Sequence, residues 1–95
     1  MATYIILSRI FPGALCDPKD FKKLAETVSG KIKEECPGVK WRESFATMGQ
    51  FDTVDIVDSD DPNQVERAAM IIRGYGHSMT ETMMATPWKD FIAGL

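Results

Sequence analysis

The residues of this sequence best suited to chemistry are a small set of polar side chains within or next to stretches that predict β-strands. A lone histidine beside a suitable carboxylate can act as a general base near neutral pH. A carboxylate in the middle of a strand must face water, a cation or a cavity, because burying an unpaired charge is costly. The set therefore predicts either ion pairs across a sheet or the polar lining of a ligand site. As candidate ligand-binding residues we take Arg9, Arg42, Asp55, His77 and Glu81, and we assign none of them a catalytic role.

Three of these residues have predicted neighbours. Glu81 lies within Thr-Glu-Thr in the last predicted strand, and Arg9 lies in the first. The two predict either a salt bridge between strands or subunits, or a pair that orients an anionic or hydrogen-bonding ligand. His77 shares a strand face with Glu81, but at ~3.3 Å per residue the two lie about 13 Å apart and cannot pair directly. His77 is thus either a strand-end histidine in ordinary contacts or a base acting alone on a substrate.

Strands and helices alternate in the order β-α-β-β-α-β along the chain. Asp17-Pro18 and Asp61-Pro62 each predict a helix N-cap followed by proline at the first helical position, and Gly74 predicts the C-cap of the second helix. Right-handed crossovers then give a ferredoxin-like α+β fold in one domain, residues 1–95. Its antiparallel four-stranded sheet has the order 4-1-3-2, with both helices on one face. The predicted strands are 3–11, 40–48, 51–58 and 77–84, and a short last helix begins at Thr86-Pro87.

The face occupied by Asp55 depends on the hairpin between the second and third strands. Gly49-Gln50 suits a two-residue turn of type II′, which pairs Ser44 with Asp55 and Arg42 with Val57. Directly paired residues share a face. The alternate set of residues has the larger apolar groups, so we assign that set to the helices. Asp55 is then expected on the open face, where it either pairs with Arg42 or lines a ligand site between stacked subunits.

Composition excludes several classes of protein. The net charge is −3 and no basic stripe is present, which argues against nucleic acid as a partner. No apolar run reaches the ~20 residues that a membrane span needs, and no signal peptide is present. The cysteines, Cys16 and Cys36, make neither a disulfide framework nor a zinc site, which needs about four ligands. We therefore expect a cytoplasmic protein with free thiols, no metal and no cofactor.

Several motifs resemble the GYD domain family over nearly the whole chain, from TYIILSR to TPWKDF. They are TMGQFD at Thr47–Asp52, the TVDIV that follows, and TET at Thr80–Thr82. The resemblance implies a ferredoxin-like domain that dimerises face to face into an α/β barrel, and it implies no established reaction. The family's tyrosine corresponds to Phe51 here, so no phenolic hydroxyl is available at this position. Gly49 and Asp52 favour a hairpin-stabilising role for the element over a catalytic one.

These observations leave three hypotheses for function. The leading one is a homodimer that binds a small, partly apolar molecule between its stacked sheets. The second is a cofactor-free enzyme, monooxygenase-like or isomerase-like, with His77 as the base; it rests on analogy of fold alone. The third is a structural interaction module with a packed, dry interface.

Overall fold

The computed structural model describes residues 1–14 and 17–95, and Cys16 lies outside the described residues. The elements follow the predicted order, and the predicted short last helix is present. They are β1 (Ala2–Ile10), α1 (Pro18–Glu35), β2 (Val39–Ala46), β3 (Thr53–Ser59), α2 (Pro62–Tyr75), β4 (Ser78–Ala85) and α3 (Trp88–Ala93).

The strands form one antiparallel sheet in the order β2-β3-β1-β4, which confirms the predicted ferredoxin-like α+β topology. The hairpin register is confirmed as far as Ser44, which pairs with Asp55, but the predicted pair of Arg42 with Val57 is wrong because Trp41 takes that place. The predicted two-residue turn is not formed. The backbone hydrogen bond nearest the connection between β2 and β3 joins Thr47 N to Asp52 O at 2.9 Å, so the connecting loop is longer than two residues. Gly49 has a φ of 128°, a conformation that only glycine adopts without strain.

Both long helices begin as the sequence predicts. Asp17 and Asp61 accept hydrogen bonds from the backbone N–H groups two residues on, and a proline follows each cap. The end of α2 differs from the prediction: the helix continues through Gly74 to Tyr75, and Gly76 is its C-cap. Ile71 and Ile72, in the C-terminal half of α2, are buried in the core.

The core lies between α2 and one face of the central strands. Ile6 of β1 and Val57 of β3 are fully buried there against Val65 and Ala68 of α2. Helix α1 reaches this core mainly through Ile32, near its C-terminal end. Farther toward its N-terminus, a groove separates α1 from the sheet. The two helices therefore cover the sheet unequally.

Candidate functional site

The face of Asp55 is the main correction to the sequence analysis. Asp55 pairs with Ile6 of β1, and both side chains are buried on the helical face of the sheet. The predicted pair of Asp55 with Arg42 is wrong, because Arg42 lies 3.4 Å from Asp58 and binds that carboxylate instead. A β-bulge between Trp41 and Glu43 explains the difference: it pairs Trp41 rather than Arg42 with Val57, which turns the indole toward the helices.

The groove between α1 and the sheet is a cavity of about 730 Å³. Such a volume falls within the range of about 300–1,000 Å³ typical of small-molecule sites. Its helical wall is an apolar stripe of α1, and its sheet wall carries the polar groups. The stripe contributes Phe21, Leu24, Ala25, Val28 and Ile32; the sheet contributes Ser8, Trp41, Ser44, Thr53 and Asp55.

Asp55 lies at the polar end of the groove with 8% of its surface exposed. Trp41 Nε1 donates to Asp55 Oδ1 at 3.3 Å and to Ser44 Oγ at 2.8 Å. Burial raises the pKa of the Asp55 carboxyl above its ordinary value, and hydrogen bonds with Ser44 and Trp41 offset part of that rise. Trp41 and Ser44 thus hold a carboxyl group in place beside an apolar surface.

Ser8 is the second polar group of the groove and has an incomplete set of partners. Its side chain is 2% exposed, and its Oγ has no hydrogen-bond partner. Leaving a buried hydroxyl unpaired costs about 1–3 kcal/mol. Ser8 was not among the residues predicted from the sequence. The period-two alternation of Tyr4, Ile6 and Ser8 indicates its position, because it places a hydroxyl on the same face as two core side chains.

Asp55→Asn is expected to stabilise the protein at neutral and higher pH. The raised folded-state pKa means that the neutral carboxyl supports the fold at low pH, and this support is lost as the pH rises above the ordinary aspartate value of about 4. The asparagine variant has no charge to bury, so its stability should not fall over that interval. Thermal unfolding from pH 3.5 to 8 measures the difference. A variant curve parallel to the wild-type curve would contradict the assignment.

The other candidate residues lie away from Asp55. Arg9 and Glu81 face the open side of the sheet, where Arg9 pairs with Met79 and Glu81 pairs with Leu7. Within the described chain they form no ion pair, so the predicted Arg9–Glu81 salt bridge is not seen. His77 precedes β4 with a φ of 48°, is exposed, and does not line the groove among its described residues. The structure therefore does not bring the predicted set together into one site.

The open face of the sheet carries an apolar patch with charged residues around it. Its side chains alternate with the buried ones along each strand and are only partly covered; Phe45, Met79 and Met83 are 44–58% exposed. We call these residues the open-face patch: Ile5, Leu7, Phe45, Val54, Ile56, Met79 and Met83.

The Gly49–Asp52 segment has the structural role that its residue types suggested, and it also joins the hairpin to β1. Asp52 Oδ2 accepts a 2.7 Å hydrogen bond from Ile10 N, and Asp52 N donates to Ser8 O at 2.8 Å. Thr47 Oγ1 donates to Phe51 O at 2.6 Å. The carboxylate thus bonds to the backbone of a third strand, a partner that we did not predict.

Asp52→Ala is expected to lower the free energy of unfolding by about 2 kcal/mol, the usual contribution of a hydrogen bond to a charged group. The substitution also leaves the N–H of Ile10 without its acceptor. Urea denaturation measures the change, with Gln50→Ala in the exposed loop as the matched control. Equal stability of the two variants would show that the Asp52 bond does not support the fold.

Other chemistry finds little support in the part of the chain that the structure describes. Over residues 1–14 and 17–95, no group of three or more His, Cys, Asp and Glu side chains could hold a metal ion. None of the described helices is both long and apolar enough to cross a membrane. Cys36 is a buried free thiol, and desolvation raises its pKa, which makes it a poor nucleophile.

Comparisons with known proteins agree with the fold. The chain is 31% identical over 96 residues to the "Glutamine synthetase and cystathionine beta-lyase binding protein" of Thermus thermophilus, covering 100% of this chain and 99% of that protein. A solved structure titled "crystal structure of FFRP-DM1" matches with a TM-score of 0.56 and 24% identity, over 90% of this chain and 100% of that one.

A second solved structure, "De novo designed protein Foldit4", has a TM-score of 0.53 and 17% identity over 90% of this chain and 96% of that one. At these identities the two solved structures show the fold alone. The model of the GYD domain family matches residues 4–95. This match spans the sheet, the helices and the Gly49–Asp52 segment, and the chain belongs to the GYD domain family.

Proposed function

We propose that this protein binds a small, partly apolar molecule in the groove between α1 and the sheet, and that it does so as a homodimer joined through the open-face patch. The observation that carries the proposal is the polar end of the groove, where Asp55 and the unpaired Ser8 hydroxyl adjoin an apolar wall. A few placed polar groups in an otherwise apolar cavity are typical of ligand sites.

The proposed site differs from the one that the sequence predicted. We expected the ligand between stacked sheets because we had placed Asp55 on the open face. With Asp55 on the helical face, each protomer has its own groove, and the open-face patch is left for subunit contact. Large exposed apolar patches usually mark interaction surfaces, and covering one adds stability to a domain of this size.

Native mass spectrometry of protein purified gently from its own source tests the proposal. We expect a dimer that carries additional small-molecule mass. Ala25→Trp should fill the groove and remove that mass, because Ala25 lines the groove on the α1 side. Lys23→Trp, at an exposed position on the side of the same helix away from the groove, is the matched control and should keep it. A dimer without extra mass whose thermal stability no small-molecule library raises would overturn the ligand proposal.

A second function, binding of a metabolic enzyme, is favoured by the relative from Thermus thermophilus. That protein is named for binding glutamine synthetase and cystathionine β-lyase, and the alignment covers the whole of this chain. We propose the corresponding enzymes of this protein's own source as candidate partners. Surface plasmon resonance with the purified enzymes tests this, and no saturable binding of either enzyme at micromolar concentration would refute it.

A further inference from the structure

We infer that the ligand of the groove is an amphipathic amine, with its ammonium group at Asp55 and Ser8 and its apolar part along α1. This inference rests on the proposed function, because it assumes that the groove holds a small molecule. It adds the chemical class of that molecule. The same groups would disfavour a fatty acid or any other ligand with a carboxylate head.

The buried carboxyl group of Asp55 favours a ligand with a positive charge. Asp55 is almost fully buried, and within the described chain it has no ion-pair partner, since the ion pairs there join Met1 to Asp60 and Arg42 to Asp58. Lys33 also lines the groove, in the last turn of α1, but its ammonium is not within ion-pair distance of the Asp55 carboxylate. A buried carboxylate requires a cation or a proton. A ligand ammonium would supply the missing positive charge.

The hydrogen-bond acceptors of Ser8 and Asp55 match the donors of an ammonium group. An ammonium group has three donors and no acceptor, so it requires several acceptors at one place. Ser8 Oγ is an acceptor without a partner, and Asp55 has a second carboxylate oxygen, Oδ2, besides the Oδ1 that receives the Trp41 bond. Ser8 and Asp55 are diagonal neighbours on one face of adjacent strands, a spacing of about 7 Å between Cα atoms. One small head group can bond to both.

The rest of the groove has an apolar lining that suits the body of an amphipathic ligand. The wall beyond these polar groups is apolar, formed by Phe21, Leu24 and Val28 of α1. Phe21 is 44% exposed, which is unusual for a large side chain on the inward stripe of a helix. An alkyl or aryl body would cover this surface, and the hydrophobic contribution of about 0.8 kcal/mol per buried CH₂ would make affinity rise with chain length.

Matched probes that differ only in the head group test the inference. Octylamine, octan-1-ol and octanoate are titrated at pH 7.5, and Trp41 fluorescence is followed in a Trp88→Phe background, since Trp88 lies in α3 and is largely exposed. We expect octylamine to bind roughly tenfold or more tightly than the alcohol, because hydrogen bonds to charged groups contribute about 1.5–3 kcal/mol. Octanoate should bind most weakly.

Two aspartate variants test whether the charge of Asp55, and not the apolar wall, gives the preference for octylamine. Asp55→Asn should remove the preference for octylamine and leave binding of the alcohol within about threefold, because the apolar wall is unchanged. Asp58→Asn, on the same strand but the opposite face, should leave the preference intact. Ranking the probes in the Trp88→Phe background leaves the groove unaltered and does not require either aspartate variant to fold.

The outcomes distinguish failure of the amine inference from failure of the proposed ligand site. If octanoate or the alcohol binds as tightly as octylamine, the groove is a ligand site but the amine inference is wrong. If none of the probes binds at millimolar concentration, both the inference and the ligand part of the proposed function fail. If octylamine is preferred and Asp55→Asn keeps that preference, the recognising group is not Asp55, and the inference is overturned.

Discussion

Ile5→Lys is expected to turn the proposed dimer into a monomer while leaving the fold intact. Ile5 lies in β1 at the centre of the open-face patch, where it pairs with Ile56 on one side and Met83 on the other. In an isolated protomer the lysine side chain can extend into water. In a two-fold dimer the change buries two ammonium groups in an apolar interface without partners, so the dissociation constant should rise by roughly a hundredfold or more.

Sedimentation velocity over a range of protein concentration measures this dissociation constant. Met70→Lys is the control, because Met70 is an equally apolar side chain, 64% exposed on α2 and distant in sequence from the patch. Its dimer should be unchanged. Unaltered far-UV circular dichroism shows that each variant is folded. A wild-type protein that is monomeric at high micromolar concentration would contradict the proposed dimer, and so would an Ile5→Lys dimer of unchanged affinity.

The sequence was sufficient to predict the order of elements and most of their boundaries. Asp17-Pro18 and Asp61-Pro62 are local signals, and the bonds that they make lie within two residues of the cap. The register of the hairpin was predictable near the connection, where Ser44 pairs with Asp55, but not beyond the bulge that follows Trp41. Interactions of this kind depend on few residues, so the residue types alone indicate them.

The sequence did not predict which face of the sheet meets the helices. Our criterion was that the larger apolar groups pack against helices, and it fails when both faces of a sheet are apolar. Here Phe45 and Val54 are on the open face, whereas Asp55 and Ser8 are on the helical face. Two features affect which side chains face the helices: the bulge at Arg42 and the separation of α1 from the sheet. Both depend on contacts between segments that are distant in sequence.

That separation of α1 also explains why polar residues are tolerated beneath a helix. Where α2 packs directly on the sheet, the facing residues are Ile6 and Val57, and they are fully buried. Where α1 leaves a groove, the facing residues include Ser8 and Asp55. The step from Ile6 to Ser8 in β1 and from Val57 to Asp55 in β3 therefore coincides with the boundary between core and groove. The core supports the sheet, and the groove is the part of the helical face that remains available to a ligand.

Gly76→Ala is expected to lower the free energy of unfolding by about 2–3 kcal/mol, at the upper end of the usual cost of overpacking. A Cβ at Gly76 would clash with the carbonyl oxygen of Ile72, at a separation that real Cβ contacts do not reach. The obstacle is helix backbone, so relief requires a shift of the end of α2. Because Ile72, Gly76 and Ser78 all line the groove, the shift should also weaken binding of any groove ligand.

Gly74→Ala is the matched control for Gly76→Ala and should have the opposite effect. Gly74 lies in the last turn of α2, and a Cβ there meets nothing within 4 Å. Alanine at an exposed helical position should therefore stabilise the protein by up to about 1 kcal/mol. Urea denaturation of both variants gives two changes of opposite sign from single methyl groups two residues apart. If both variants stabilised the protein, the close approach at Gly76 would not exist, and α2 would lack the fixed end that borders the groove.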